Sequence, residues 1–536
     1  FCILHTTYRM PLDTRNAYFY SLIVALGGFV FGLDLVLIAG TFDYTEVQFG
    51  LSAGQKGLIA SAPGWGALIG LIFAGAVCDR LGRKKSLLLI AGIYSISAIG
   101  SSLSGGLWSL FFFRLIGGLA FTSLSLASMY IGEIAPPSIR GKLVGANQLN
   151  IVIGLFAGSG LNYLIAQIGQ SPPEWAQAIM LNEHSAWRWM LGIETIPAAL
   201  WFLLLLKIPE SPRWLILNGH SAQAQSVLGQ LAPPDEVAPQ FEEISTNLRD
   251  TQHHLSYAEQ AKLLISPKLR VALFVGLILA VVQPWTGMNA LQSFMPQIFE
   301  YAGRGETKLY DQMMVNLIGL FFTFIALLVI DRIGRRIILI GGLSACALGL
   351  GIVAYGFGTA TYAVTPKVIS AVSGQIDPSA LQPIAGTEFT DELTFKHELR
   401  QLVGLEDFRT IEGDVMLHGV TMNAHLVLAG IILFACAYKF SAGPVMWIMF
   451  AELFPTKVRA LAITGCAWVT SIFGGVVVPQ LYPLKIEHLG STVTFLIYGS
   501  CCFFGMLALA KLTPETKGKT IEEIESDIER LGRKSS

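Results

Sequence analysis

Apolar residues run in twelve long stretches along this chain, and charge is confined to the punctuation between them. The stretches fall at about 17–42, 55–78, 86–103, 107–132, 141–168, 187–208, 269–301, 309–330, 337–362, 425–451, 460–483 and 491–511. Each is near the ~20 residues a helix needs to cross a hydrocarbon core. The pattern predicts an all-α membrane protein of twelve transmembrane helices in two pseudo-symmetric six-helix halves, residues 17–208 and 269–511. Between the halves, 209–268 is polar, and its charged pieces at about 221–231, 239–250 and 256–265 predict short helices. A second polar stretch, 363–424, interrupts the second half between spans nine and ten. Residues 1–16 and 512–536 read as tails, and Met10-Pro11 resembles a start preceded by an extension. No cleavable signal peptide is expected at the first span.

Composition agrees with that pattern. Of 536 residues 53% are hydrophobic and only 14% charged, with a mean hydropathy of +0.57; a soluble domain needs more charge to cover its surface. A net charge of −1 gives no reason to expect nucleic acid as a partner. Most of the seven cysteines sit in apolar runs, so no disulfide framework is expected. No phosphate-binding loop, metal-ligand cluster or activated nucleophile is present, which argues against an enzyme and against a metal or other cofactor.

The charged punctuation repeats. Asp79-Arg80-Leu81-Gly82-Arg83-Lys84 returns as Asp331-Arg332-Ile333-Gly334-Arg335-Arg336, and Glu133 with Arg140 returns as Glu452 with Arg459. Pro209-Glu210-Ser211-Pro212-Arg213 closes the first half and Pro514-Glu515-Thr516-Lys517-Gly518 the second. Duplicated halves on apolar segments are how many secondary transporters are built. Asp79 and Asp331 are 252 residues apart but Glu133 and Glu452 are 319 apart, so the second half carries 67 extra residues between those motifs. Only 363–424 is polar enough to hold them, and it reads as a small extracellular subdomain accessory to the core. Lys and Arg crowd the loops after even-numbered spans, which places both termini in the cytoplasm by the positive-inside rule.

Asp34 lies within the first apolar run, where a carboxylate costs roughly 2.5–3.5 kcal/mol on insertion scales and therefore needs a partner or a task. Arg114, near the start of span four, is the evident opposite charge. Separating such a pair during a conformational change would switch protonation.

The whole set of motifs resembles the sugar porters of the major facilitator superfamily. It comprises G-A-V-C-D-R-L-G-R-K-K (75–85), R-L-I-G-G (114–118), Y-I-G-E-I-A-P-P-S-I-R-G (130–141), W-R-W-M-L-G (187–192), P-E-S-P-R-W-L (209–215), D-R-I-G-R-R (331–336), G-P-V-M-W (443–447) and P-E-T-K-G (514–518). The likeness spans about 15–520 except the insertion. It implies gating roles for Asp79, Arg83, Glu133, Arg140, Glu210, Arg213, Asp331, Arg335, Glu452 and Arg459, and proton coupling at Asp34 with Arg114. It maps sugar contacts to Gln148, Gln283 and Asn289, with aromatic platforms at Phe31 and Trp447, and adds Trp468 to the substrate-binding set. An amide suits a sugar because it offers hydroxyls both a donor and an acceptor.

Departures from the family are specific. The paired Gln of span seven is here Gln283-Pro284, the span-eight Asn falls on Gly319 with Asn316 one turn away, and the amide before Trp468 is Ala467. The resemblance implies import of a monosaccharide or related polyol with protons by alternating access. The implied location is a bacterial inner membrane, the coupling ion is the proton, and the functional unit is a monomer. The alternatives are a facilitative sugar uniporter with Asp34 purely structural, or a non-transporting sugar receptor that binds a partner through the insertion.

Overall fold

The computed structural model describes residues 12–250, 257–266, 269–455, 458–517, 519 and 523; the side chains of 12–14, 137, 138, 140–142, 144, 247–250, 257 and 460 lie outside that description. Among the described residues ten apolar helical stretches cross once each: Arg15–Gly40, Ala53–Leu81, Arg83–Ser102, Leu107–Ile134, Gly145–Gln170, Ala186–Leu205, Arg270–Tyr301, Gly305–Ile333, Arg335–Gly358 and Ala424–Leu453. An eleventh, Leu461–Leu512, is 52 residues long, about 78 Å at the α-helical rise, far more than one ~30 Å core requires. Gly490 breaks it with φ 73°, so the chain turns back there and the count of crossings becomes twelve.

Several spans are interrupted midway. Span seven breaks at Thr286–Gly287 between Arg270–Trp285 and Met288–Tyr301, span ten at Ser441 between Ala424–Phe440 and Ala442–Leu453. Span eleven carries a π-helical turn over Ser471–Val477. Such irregular backbone within a bilayer is tolerated where it is buried in protein or lines a cavity. Short helices Pro212–Leu217, Ser221–Leu231, Pro234–Asp250 and Tyr257–Leu264 connect the halves.

The insertion folds as a unit. Strands Thr361–Ala363, Glu388–Phe389 and Val420–Thr421 form a small antiparallel sheet with the first strand central. Helices Glu392–Val403 and Leu405–Gly419 pack on it around Tyr362, Phe395, Phe408 and Val415. The subdomain also docks on the core: Arg400 pairs with Glu487 at 3.1 Å and Glu392 accepts from the Ser491 N–H at 2.9 Å. Lys396 bridges Glu392 and Glu412 at 2.9 Å each and lies 4.4 Å above the Tyr301 ring. Polar residues of this kind dock because each finds a partner where the two surfaces exclude water.

The halves are joined toward the end that carries the insertion. Asp43 pairs with Lys308 at 2.8 Å, Phe42 stacks on Phe294 at 4.9 Å, and Tyr163 meets Tyr310 at 5.8 Å. Spans two and eleven touch backbone to backbone there: a Cβ on Gly57 would lie 2.2 Å from the Gln480 carbonyl oxygen. Only glycine permits such an approach.

Candidate functional site

Three groups of residues hold the chemistry: a clamp at the basic end of each half, a buried charge cluster in the first half, and amides at the helix breaks of the second.

Both clamps are built from the same parts. In the first half Glu210 accepts the backbone N–H of Arg83 at 2.8 Å and of Lys84 at 3.2 Å, so a carboxylate caps the start of span three. In the second half Glu515 accepts those of Arg335 at 3.0 Å and Arg336 at 3.2 Å. A carboxylate there satisfies N–H groups with no intrahelical partner and meets the positive end of the helix dipole. The glycine just before each helix is obligatory twice over. Gly82 and Gly334 have φ of 86° and 106°, and a Cβ would lie 2.3 Å and 2.7 Å from the capping carboxylate.

The arginine at each helix start then reaches across. Arg83 grips Glu133 in a bidentate pair at 3.0 and 3.1 Å and reaches Asp79 at 3.6 Å; Arg335 pairs with Glu452 at 3.1 Å and Asp331 at 2.8 Å. Not every expected gating charge takes part. Arg459 donates to the Phe454 carbonyl at 2.9 Å instead of meeting a carboxylate, because its side chain turns back on the loop that precedes its helix. Arg213 is exposed and makes no ion pair with a described residue, since Glu210 turns away to cap span three. The side chain of Arg140 lies outside the described residues.

Inside the first half, Asp34 and Arg114 meet at 3.2 Å with both side chains buried. Arg114 is therefore aimed at span one. A third charge, Glu194 on span six, is equally buried and interacts electrostatically with both. Asp34 Oδ2, Arg114 Nε and Glu194 Oε1 have no hydrogen-bond partner among the described residues. Asp34 thus holds the guanidinium, while Glu194 lies in electrostatic range of both without an ion pair to a described residue, and buried charge left uncompensated is expensive. The rule that singled out Asp34, a carboxylate inside an apolar run, points equally to Glu194, which closes the W-R-W-M-L-G-I-E segment of span six.

The amides divide. Gln148 is partly exposed on span five and has no hydrogen bond to a described residue. Gln283 donates to Tyr438 Oη, and Asn289 donates to the Gly474 carbonyl at 2.8 Å, so both brace neighbouring helices at the breaks of spans ten and eleven. Phe31 packs edge-on against Phe121 at 4.5 Å. Trp447 and Trp468 keep 45% and 41% of their surface exposed.

The family described as Sugar (and other) transporter matches the chain over residues 20–375 and 410–528. An arabinose-proton symporter of Bacillus subtilis is 31% identical over 94% of this chain and 93% of its own length. A D-xylose-proton symporter of Escherichia coli is 28% identical over 96% and 97% respectively. A partially occluded, inward-open structure of the xylose transporter XylE from E. coli superposes with a TM-score of 0.70 at 24% identity, covering 94% of this chain and all of that one.

Proposed function

The chain belongs to the Sugar (and other) transporter family, and from that premise we propose that it imports a monosaccharide or related polyol together with protons by alternating access. The observation that carries the proton is the Asp34–Arg114 pair at 3.2 Å with Glu194 beside it. Two carboxylates and one guanidinium leave a place for one transferable proton, and separating Asp34 from Arg114 changes which form is favoured. One proton moving down ~100 mV supplies about 2.3 kcal/mol, enough for a roughly fifty-fold sugar gradient at 1.4 kcal/mol per decade.

The twin clamps supply the bistable element that rocking requires. With the basic end in the cytoplasm, the contacts of Asp43, Phe42 and Tyr163 across the insertion end close the outer side. Trp447 and Trp468, on the basic-end halves of their spans, then face an inward-opening arrangement. Gln148, Gln283 and Asn289 address the hydroxyls, and the exposed Trp447 packs on the ring C–H face.

The test is uptake into proteoliposomes of labelled xylose, arabinose and glucose, with and without an inward proton gradient. Accumulation above equilibrium only when the gradient is present supports the proposal. Equal uptake in both conditions would make the protein a uniporter, and no uptake of any sugar or polyol would remove the transport reading.

A further inference from the structure

Two ammonium groups of the second half, Lys439 and Lys485, are withdrawn from the surface and have no described carboxylate as a partner. Lys439 is 5% exposed and lies in the last turn of the half-helix Ala424–Phe440, just before the break in span ten. Its Nζ donates to Asn316 Oδ1 at 2.8 Å, while Asn316 Nδ2 has no partner. An ammonium has three donors, and one is used. The carbonyl end of the half-helix offsets part of the charge, yet a buried cation is ordinarily matched by an anion.

The position of that ammonium is informative. A Cβ on Gly319 would fall 2.5 Å from Lys439 Cδ and 2.7 Å from Nζ. Lys439 therefore fills the volume that a span-eight side chain would occupy, at the place where an amide ligand is expected and missing. Tyr438, its neighbour in the chain, is the residue bonded to Gln283. The second cation borders the same segment: Lys485 Nζ has no hydrogen-bond partner and lies over the rings of Trp285 at 4.9 Å and Tyr498 at 4.7 Å. One ammonium thus lies over Trp285 and the other follows Tyr438, the partner of Gln283, while the first half presents Asp34 and Glu194 with a single Arg114.

We propose that the substrate is a sugar acid, a monosaccharide bearing a carboxylate, with Lys439 as the group that receives the carboxylate. This rests on the transport reading above. The anion is drawn to the second half by Lys439 and turned from the first by Asp34 and Glu194, which fixes the orientation of the ring. The three absences on spans seven, eight and eleven follow, because an ionic contact replaces hydrogen bonds that amides would otherwise make to hydroxyls. A ligand contact to a charged group is worth more than one between neutral groups.

The experiment measures binding and counterflow in proteoliposomes with matched pairs: D-glucuronate against D-glucose, D-galacturonate against D-galactose, and D-gluconate against sorbitol, with xylose and arabinose as further neutral probes. The expected result is an acid bound roughly tenfold or more tighter than its neutral partner. Lys439→Met brings that ratio to about one, and Lys439→Arg preserves much of it. Asn316→Asp, which gives the ammonium an internal carboxylate, abolishes the preference in a protein that still inserts and is monodisperse, so the result survives should the methionine variant misfold. Counterflow of neutral sugars with no acid preference in the wild type overturns the inference and leaves the transport reading standing; Lys439 would then only cap its half-helix. Counterflow of neither class overturns both.

Discussion

At the basic end of the first half, Glu210 caps span three and Arg83 grips Glu133; at the same place in the second half, Glu515 caps span nine and Arg335 grips Glu452. A few turns deeper the correspondence ends. The first half buries Asp34, Glu194 and Arg114 together, whereas the second buries Lys439 against an amide. Duplication has kept the parts that move the halves and has let the interiors diverge. On the proposed function, the symmetric elements are those rocking needs twice, and the asymmetric ones would handle different cargo: a proton on one side, a substrate on the other.

The largest effect that would break this division is at Asp34. Asp34→Asn is expected to abolish accumulation driven by a proton gradient while sugar exchange at equilibrium continues; exchange and gradient-driven uptake measured on the same vesicles check it. An Asn variant that still concentrates sugar would move the coupling group elsewhere.

Next come the clamps, whose difference in burial sharpens the comparison. The side chains of Arg83 and Glu133 are 8% and 9% exposed, those of Arg335 and Glu452 12% and 27%. Removing one partner of a buried pair costs about 3–5 kcal/mol, and solvent screening reduces that where the other partner is wetter. Arg83→Ala is therefore expected to lower the thermal midpoint and the transport rate more than Arg335→Ala. Equal losses would mean that the clamps act through geometry alone.

The amides should show a smaller split. Gln148→Ala is expected to weaken sugar binding by about 0.5–1.5 kcal/mol, a few-fold to roughly tenfold, with little change in stability. Gln283→Ala and Asn289→Ala should reduce both affinity and stability, because each also removes a helix–helix bond. Trp447→Ala should reduce affinity more than any of the three. Ligand titration and thermal unfolding of the four variants separate the two kinds of loss.

The smallest effect concerns pH and the insertion. Burial alone would push the Glu412 carboxyl up, but the Lys396 and Lys56 ammonium groups override it and hold it below its ordinary 4.5. Burial works against the Lys396 charge, yet Glu392 and Glu412 keep its pKa well above 10.5. A depressed carboxyl contributes stability that is present above its unfolded value and lost as pH falls through the folded one. Docking of residues 392–421 should therefore hold at neutral pH and loosen below about pH 4.5; hydrogen exchange of that segment across pH 7 to 4 checks it.

Much of this architecture was legible in the chain. Span length, loop charge and the repeated D-R-x-G-R and P-E motifs are local patterns, and they led directly to twelve crossings and to the clamps. Asp34 and Arg114 could be matched because each was the evident charge in an apolar run. What the pattern concealed depends on packing between distant segments. Arg459 turns back on its own loop, Asn289 spends its amide on Gly474, and Lys439 reaches the hollow left by Gly319; none of these is written in spacing. The docking of the insertion was hidden for the same reason, since Lys396 and Arg400 read as surface charges until Tyr301, Glu412 and Glu487 are brought beside them.

The central claim, that the proton is handled in the first half and the substrate in the second, is tested most directly by recording proton entry with a trapped pH dye while substrate enters proteoliposomes. The account predicts that the dye responds in the wild type and in Lys439→Met whenever substrate moves, and that the response disappears in Asp34→Asn although substrate still exchanges. A response that persists in Asp34→Asn, or one lost in Lys439→Met while substrate continues to enter, would contradict it.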